Sequence, residues 1–272
     1  NQYPINELMA FVRAMDEAGK HENSTALSRL NIIKLYHLCR EHGIQQQELC
    51  SENLIRVLYL MTENMENASL EFNEHDMAYL QVGLNIMDSI EPHLLLEFVR
   101  IYRSSPLNRE GSPLASAELI TVYKLCREVG IEHAQICNKD FIDILNLMTE
   151  SSEFVTSEFS VKNVNTFKNE LKVIASIEPG LCKQLIEGLQ QHSSTLRKKG
   201  IAEAIGLLGL CQHEGMNQAM LYRYRDILLQ TWERLLTTEE YTKSKALFIE
   251  YAHNLAKFDR DKLDGFIREG SL

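Results

Sequence analysis

The chain repeats itself at an offset of 87 residues, and nothing else in the sequence limits the fold as strongly. Leu38-Cys39-Arg40-Glu41 recurs as Leu125-Cys126-Arg127-Glu128, and Leu60-Met61-Thr62-Glu63 as Leu147-Met148-Thr149-Glu150. Ser89-Ile90-Glu91-Pro92 recurs as Ser176-Ile177-Glu178-Pro179, and Phe11-Val12-Arg13 as Phe98-Val99-Arg100. One shared offset with no gap between blocks reads as a tandem duplication. A worn third copy follows. Leu210-Cys211 with Gly215 matches the block at Leu125 at an offset of 85, and Asp226-Ile227-Leu228 echoes Asp143-Ile144-Leu145. Terminal repeats diverge because they meet solvent or a different neighbour.

Each copy divides into four helical stretches. In the first copy, Leu8, Phe11, Val12 and Met15 follow the i, i+3, i+4, i+7 pattern of an amphipathic helix that starts near Pro4. The second helix is expected from about Leu27 to His42, with Leu30, Ile33, Tyr36 or His37, and Leu38 inward. Gly43, Gly130 and Gly215 stand just past this helix in the three copies, where a left-handed residue ends a helix. The third helix follows Ser51, an N-cap type matched by Asn138, and presents Leu54, Ile55, Leu58 and Met61, widened by Val57 and Leu60. The fourth is expected from about Glu74 to Ser89, with Met77, Leu80, Leu84 and Met87 inward. Pro92 and Pro179 open the next helices, where the missing N–H costs nothing.

The expected fold is therefore all-α, a single helical-repeat domain over residues 1–272. Its copies span about 1–87, 88–174 and 175–257, with a terminal helix in 258–272. Two hairpins of about 43 residues per copy lie in the range of HEAT and armadillo-type repeats. At that level the chain resembles an α-solenoid, which implies stacked helical hairpins with an extended binding surface. Leu119–Gly130 is similar to one pentatricopeptide unit, but the 87-residue spacing departs from that family's shorter period. The chain starts without Met and is read as a piece of a longer or processed protein.

Charge narrows the partner classes. The formal net charge is −10. Residues 1–87 hold 6 Lys and Arg against 12 Asp and Glu, residues 88–174 hold 9 against 13, and residues 175–272 hold 13 against 13. Nonspecific nucleic-acid binding needs a basic face, and two thirds of the chain has the opposite sign. No apolar run reaches the roughly 20 residues of a membrane span. With no basic-then-apolar leader in view, the expected compartment is the cytoplasm.

The chemistry-bearing residues favour packing over catalysis. Cys39 and Cys126 are copies of one position, as are Cys50 and Cys137, whereas a nucleophile is rarely present twice. Free Cys is among the most buried residue types. Cys211-Gln212-His213 is too sparse for a zinc site, and neither a phosphate loop nor a nucleophile elbow occurs. No cofactor, metal or catalytic residue is assigned, and the chain is read as a non-enzyme. Gly200, Ala202, Ala204, Gly206 and Gly209 are read as close-packing positions. The retained polar pairs Arg40/Arg127, Glu41/Glu128, Thr62/Thr149 and Glu63/Glu150 are read as ties between helices.

The candidate partner-binding residues lie in the third copy: Arg197, Lys198 and Lys199, with Arg223, Arg225 and Trp232 further on. Basic residues at a helix start oppose its dipole, so the first three serve something other than helix stability. The function expected is a scaffold that binds a protein or peptide on a helical-repeat surface, with a basic or mixed partner face. The alternative is an RNA-binding helical-repeat protein that uses the basic third copy.

Overall fold

The computed structural model describes residues 4–21, 27–63, 65, 68–87, 90–106, 114, 116–151, 161–191, 201–236 and 241–268. All secondary structure among these residues is helical, as expected for an all-α chain. The chain forms two compact units, residues 1–128 and 129–272.

Unit 1 contains α1 (Ile5–His21), α2 (Arg29–Glu41), the short α3 (Gln46–Leu49), α4 (Glu52–Thr62), α5 (Glu74–Met87), α6 (Pro92–Ser104) and α7 (Ser116–Glu128). Helix α4 is its centre and packs on α1, α3, α5, α6 and α7. That position explains its composition: every residue from Val57 to Thr62 is buried, as are Leu54 and Ile55. A helix this broadly apolar must be enclosed on most sides, and only Glu52, Asn53 and Arg56 are exposed. Phe11 of α1 meets Tyr36 of α2 with ring centroids 5.8 Å apart, and Phe98 of α6 meets Tyr123 of α7 at 5.2 Å. Such ring pairs add about 0.5–1.5 kcal/mol each beyond their buried area.

Unit 2 contains the short α8 (His133–Ile136), α9 (Lys139–Ser151), α10 (Val161–Ala175), α11 (Pro179–Gln191), α12 (Ile201–His213), α13 (Gln218–Leu236) and α14 (Tyr241–Arg268). Helix α11 packs on α9, α10, α12 and α13, and α12 also packs on α9, α10 and α14. Close approach needs small residues here. A β-carbon on Gly188 would lie 2.7 Å from the Leu229 side chain, and one on Gly209 would lie 3.1 Å from Val173. Gly206 meets nothing within 4 Å, so of the expected close-packing glycines Gly209 is one and Gly206 is not, while Gly200 lies outside the described residues.

The helix punctuation follows the sequence expectation. Gly43, Gly130 and Gly215 have φ of +87°, +89° and +96°, the left-handed region that disfavours a side chain. The Ser51 hydroxyl accepts from Leu54 N–H at 3.3 Å, and Asn138 Oδ1 accepts from Asp140 N–H at 2.9 Å. Pro92 opens α6 and Pro179 opens α11.

Two expectations are corrected. The inward face of α2 consists of Ile32, Leu35, Tyr36, Leu38 and Cys39, joined by the polar Asn31. Leu30 is 45% exposed instead. The face turned because Asn31 is needed inside: its amide donates to Ala68 O at 2.9 Å, and its carbonyl accepts from Phe72 N–H at 2.8 Å. The terminal helix expected within 258–272 is also not separate. It is the end of α14, which begins at Tyr241, and no Gly or Pro lies between Tyr241 and Asp264 to break it.

One titratable group sits awkwardly in unit 2. Glu170 on α10 is half-buried, and burial pushes its carboxyl up to about 7. The folded state then holds this proton more tightly than the unfolded chain. Its contribution to stability is largest below the ordinary carboxylate range and falls as pH rises through about 7. Glu170→Gln is expected to gain about 1 kcal/mol near pH 8, after allowance for solvent screening, and nothing near pH 4. Paired urea titrations at the two pH values check this. An equal gain at both would show that Glu170 does not titrate between them.

Candidate functional site

Of the basic residues singled out in the third copy, Arg223 and Arg225 are described. Arg197, Lys198 and Lys199 lie outside the described residues. Arg223 on α13 pairs with Asp259 on α14, and the Tyr224 hydroxyl reaches the same carboxylate at 3.0 Å. Arg225 pairs with Asp226 at 2.9 Å and donates to Gln184 of α11 at 2.5 Å. Both guanidinium groups thus tie α13 to itself and to its neighbours. Trp232 is a correction: its side chain is 0% exposed and cannot touch a partner. Its ring packs edge-on against Tyr241 at 6.1 Å and Phe248 at 5.2 Å. A large apolar ring on the inner face of a helix belongs to the core.

The polar residues shared by the first two copies are structural where the structure describes them. The Thr62 hydroxyl donates to Tyr59 O, and the Thr149 hydroxyl to Leu145 O and Asn146 O. Arg40 donates to Ile44 O at 3.0 Å, beyond the end of α2.

Two concave features among the described residues of unit 1 bear on binding. The larger is a groove of about 640 Å³ running from the turn after α2 to the start of α6. Ile44, Leu84, Ile90 and Pro92 give it apolar walls, and Glu48 and Glu91 give it negative charge. The left-handed Gly43 shapes one end, since only that turn lets the chain leave α2 and enter α3.

The second feature is a cleft of about 140 Å³ between α4 and α6. Three arginines line it, Arg56 from α4 with Arg100 and Arg103 from α6, along with Tyr59, Glu63 and Leu96. Glu63 Oε2 lies 2.6 Å from Arg103 Nη2, and Ser116 of α7 donates its hydroxyl to Glu63 at 2.7 Å. Burial opposes ionisation of Glu63, but the hydrogen bonds from Arg103 and Ser116 outweigh it and hold the carboxyl below its ordinary range. Arg56 lies 4.0 Å from Glu52, which is 86% exposed and well screened. Arg100 is exposed and makes no ion pair among the described residues.

Arg56 and Arg103 are not repeated at the 87-residue offset, whereas Arg100 repeats Arg13. Positions 87 residues beyond Arg56, Arg100 and Arg103 hold Asp143, Glu187 and Gln190. In unit 2, Asp143 accepts from Lys183 at 2.5 Å. The equivalent helices of unit 2 therefore fold without counterparts of Arg56 and Arg103.

The cysteines show no reactive pair. Cys39, Cys126, Cys182 and Cys211 are buried, Cys50 is exposed and Cys137 is half-buried. Burial pushes Cys39, Cys182 and Cys211 up to about 12, and Cys126 is raised by the same cause. The thiolate is the nucleophile, so these four are inert in the folded chain. A short iodoacetamide pulse at neutral pH is expected to modify Cys50 first and Cys137 second, and the others only after unfolding. Peptide mass mapping checks the order, and labelling of Cys39 as fast as Cys50 would contradict the burial.

Among the described residues, no cluster of His, Cys, Asp and Glu is arranged to hold a metal, and no helix is long and apolar enough to cross a membrane. No protein-family model, curated protein or solved structure matches the chain.

Proposed function

We propose that this chain is a protein–protein interaction scaffold, an α-solenoid built by tandem duplication that holds a peptide segment of a partner protein. The duplication is supported by helix bounds: α2 and α7, α3 and α8, and α6 and α11 each begin and end 87 residues apart. The Phe11–Tyr36 ring pair and its counterpart Phe98–Tyr123 stand at the same offset. Stacked helix pairs bury one face against each other and leave an extended surface for binding.

The observation that carries the function is the groove of about 640 Å³ in unit 1, with its apolar walls and its Glu48 and Glu91. Apolar walls supply affinity by releasing water, and the two carboxylates select a segment that bears Lys or Arg beside apolar residues. The reading assigns no catalytic step and no cofactor. It includes a cytoplasmic setting, in keeping with the free cysteines. The RNA-binding alternative loses support because Arg223 and Arg225 are engaged within unit 2.

The test is a displayed peptide library selected on the wild-type chain and re-measured on the Glu48→Lys/Glu91→Lys variant. Selected peptides are expected to combine apolar and basic residues and to weaken about tenfold or more on charge reversal. Peptides that bind the variant equally well would overturn the assignment of the groove.

A further inference from the structure

On the tandem-duplication reading, α1, α6 and α11 are the first helices of three copies, and α4, α9 and α13 are the third. Helix α11 packs on α9 of the copy before it, as well as on α12 and α13 of its own. Helix α6 likewise packs on α4 of the copy before it. Helix α1 is first in order, and it packs on α2 and α4 of its own copy.

The exposure of single positions records the difference. Leu95 and Val99 of α6 are buried, as are Cys182 and Ile186 at the same positions of α11. Their counterparts in α1, Leu8 and Val12, are half-buried. Beside them Met9 is 47% exposed, and Ile5 is exposed as well. Ile5, Leu8, Met9 and Val12 stand at i, i+3, i+4 and i+7, on one face of the helix. Water therefore meets an apolar strip of α1 at positions that are covered in both later copies.

The last copy shows the complementary gap. Asp226-Ile227-Leu228 of α13 matches Asp143-Ile144-Leu145 of α9 and Arg56-Val57-Leu58 of α4. Leu58, Leu145 and Leu228 are buried alike, so α13 keeps its inner face. Val57 and Ile144 are fully buried, whereas Ile227 is 43% exposed, and Tyr222 on the same helix is exposed too. One chain thus presents a first helix with no third helix before it and a third helix with no first helix after it. In a stacked repeat those two surfaces fit each other.

We propose that α1 of one molecule docks on α13 of a second molecule of this chain, repeating the contact that α6 makes with α4 and α11 with α9. The proposal rests on the tandem-duplication reading for the equivalence of positions. It stands apart from the peptide groove, because neither Glu48 nor Glu91 lies on α1 or α13. The contact is heterologous, so a pair of molecules keeps one free α1 face and one free α13 face, and association continues past the dimer. A contact between single helices is small, and a Kd of about 10 μM is expected.

The test is sedimentation velocity on the whole chain from about 1 to about 100 μM, with Met9→Glu and Ile227→Glu alone and mixed. The wild-type mean mass is expected to rise past that of a dimer. Each variant puts a carboxylate into the apolar contact, weakens association about a hundredfold and stays chiefly monomeric. The equimolar mixture is expected to form dimers and nothing larger, because Ile227→Glu keeps an intact α1 and Met9→Glu an intact α13. Recovery in the mixture also shows that both variants fold. A wild type that stays monomeric would overturn the proposal and leave the α1 face to a helix of another protein, with the peptide selection on the groove unaffected. An Ile227→Glu variant that associates like wild type, as an α1-on-α1 dimer does, would overturn it too, as would a mixture that stays monomeric.

Discussion

Trp232→Ala is expected to remove about 3–5 kcal/mol from unit 2, a large share of the stability of a domain this size. The indole is fully buried against Tyr241 and Phe248, and truncation leaves a cavity between α13 and α14. Trp232→Phe is expected to cost far less. The indole Nε1–H is buried and has no acceptor, so the smaller ring also removes a donor that was stripped of water without return. Urea unfolding followed by far-ultraviolet circular dichroism compares the two. Near-equal losses would show that the N–H is satisfied and that ring volume alone decides. This is the only Trp in the chain, so wild-type fluorescence reports on unit 2. Its emission is expected at short wavelength, as for a dry indole.

The second large effect is expected at Asn31. Asn31→Ala removes a clamp between α2 and the segment before α5, and it leaves the Phe72 N–H buried without its acceptor. The Ala68 carbonyl keeps a bond from Ser28 N–H at 3.1 Å, so most of the loss comes from the orphaned donor. An unsatisfied buried group costs about 1–3 kcal/mol, and the lost packing brings the expected total to about 2–4 kcal/mol. Asn31→Leu restores apolar volume but not the acceptor, and is expected to recover little. Circular dichroism in urea reads the shift, while the Trp232 signal, which reports unit 2, is expected to keep its own midpoint. A neutral Asn31→Leu would mean that the clamp is dispensable and that the face of α2 is set by volume.

These two residues mark where reading from sequence succeeds and where it stops. Local rules were legible because their causes are local. A left-handed turn needs Gly43, Gly130 and Gly215, and a helix start takes Pro92, Ser51 or Asn138. Helix α4 was legible because its apolar residues form a broad stripe that leaves only Glu52, Asn53 and Arg56 outside. Helix α2 was not, because Asn31 is drawn inward by partners 37 and 41 residues away. The period of α2 pointed to a helix, but only tertiary hydrogen bonds fix which side faces in. Trp232 and its basic neighbours were read as one surface from proximity in sequence, whereas the helix turns the ring into the core. The arginine cleft was hidden for a further reason. Retained residues in a duplicated chain report what both copies need to fold. Arg56 and Arg103 stand where the sequence 87 residues on has Asp143 and Gln190, whereas Arg100 repeats Arg13.

The scaffold reading is tested most directly by affinity capture from native lysate on the wild-type chain and on Glu48→Lys/Glu91→Lys, each with and without nuclease. The expected result is a defined protein that survives nuclease on the wild type and is lost from the variant. Loss of every captured protein on nuclease treatment, or equal recovery on both chains, would contradict it.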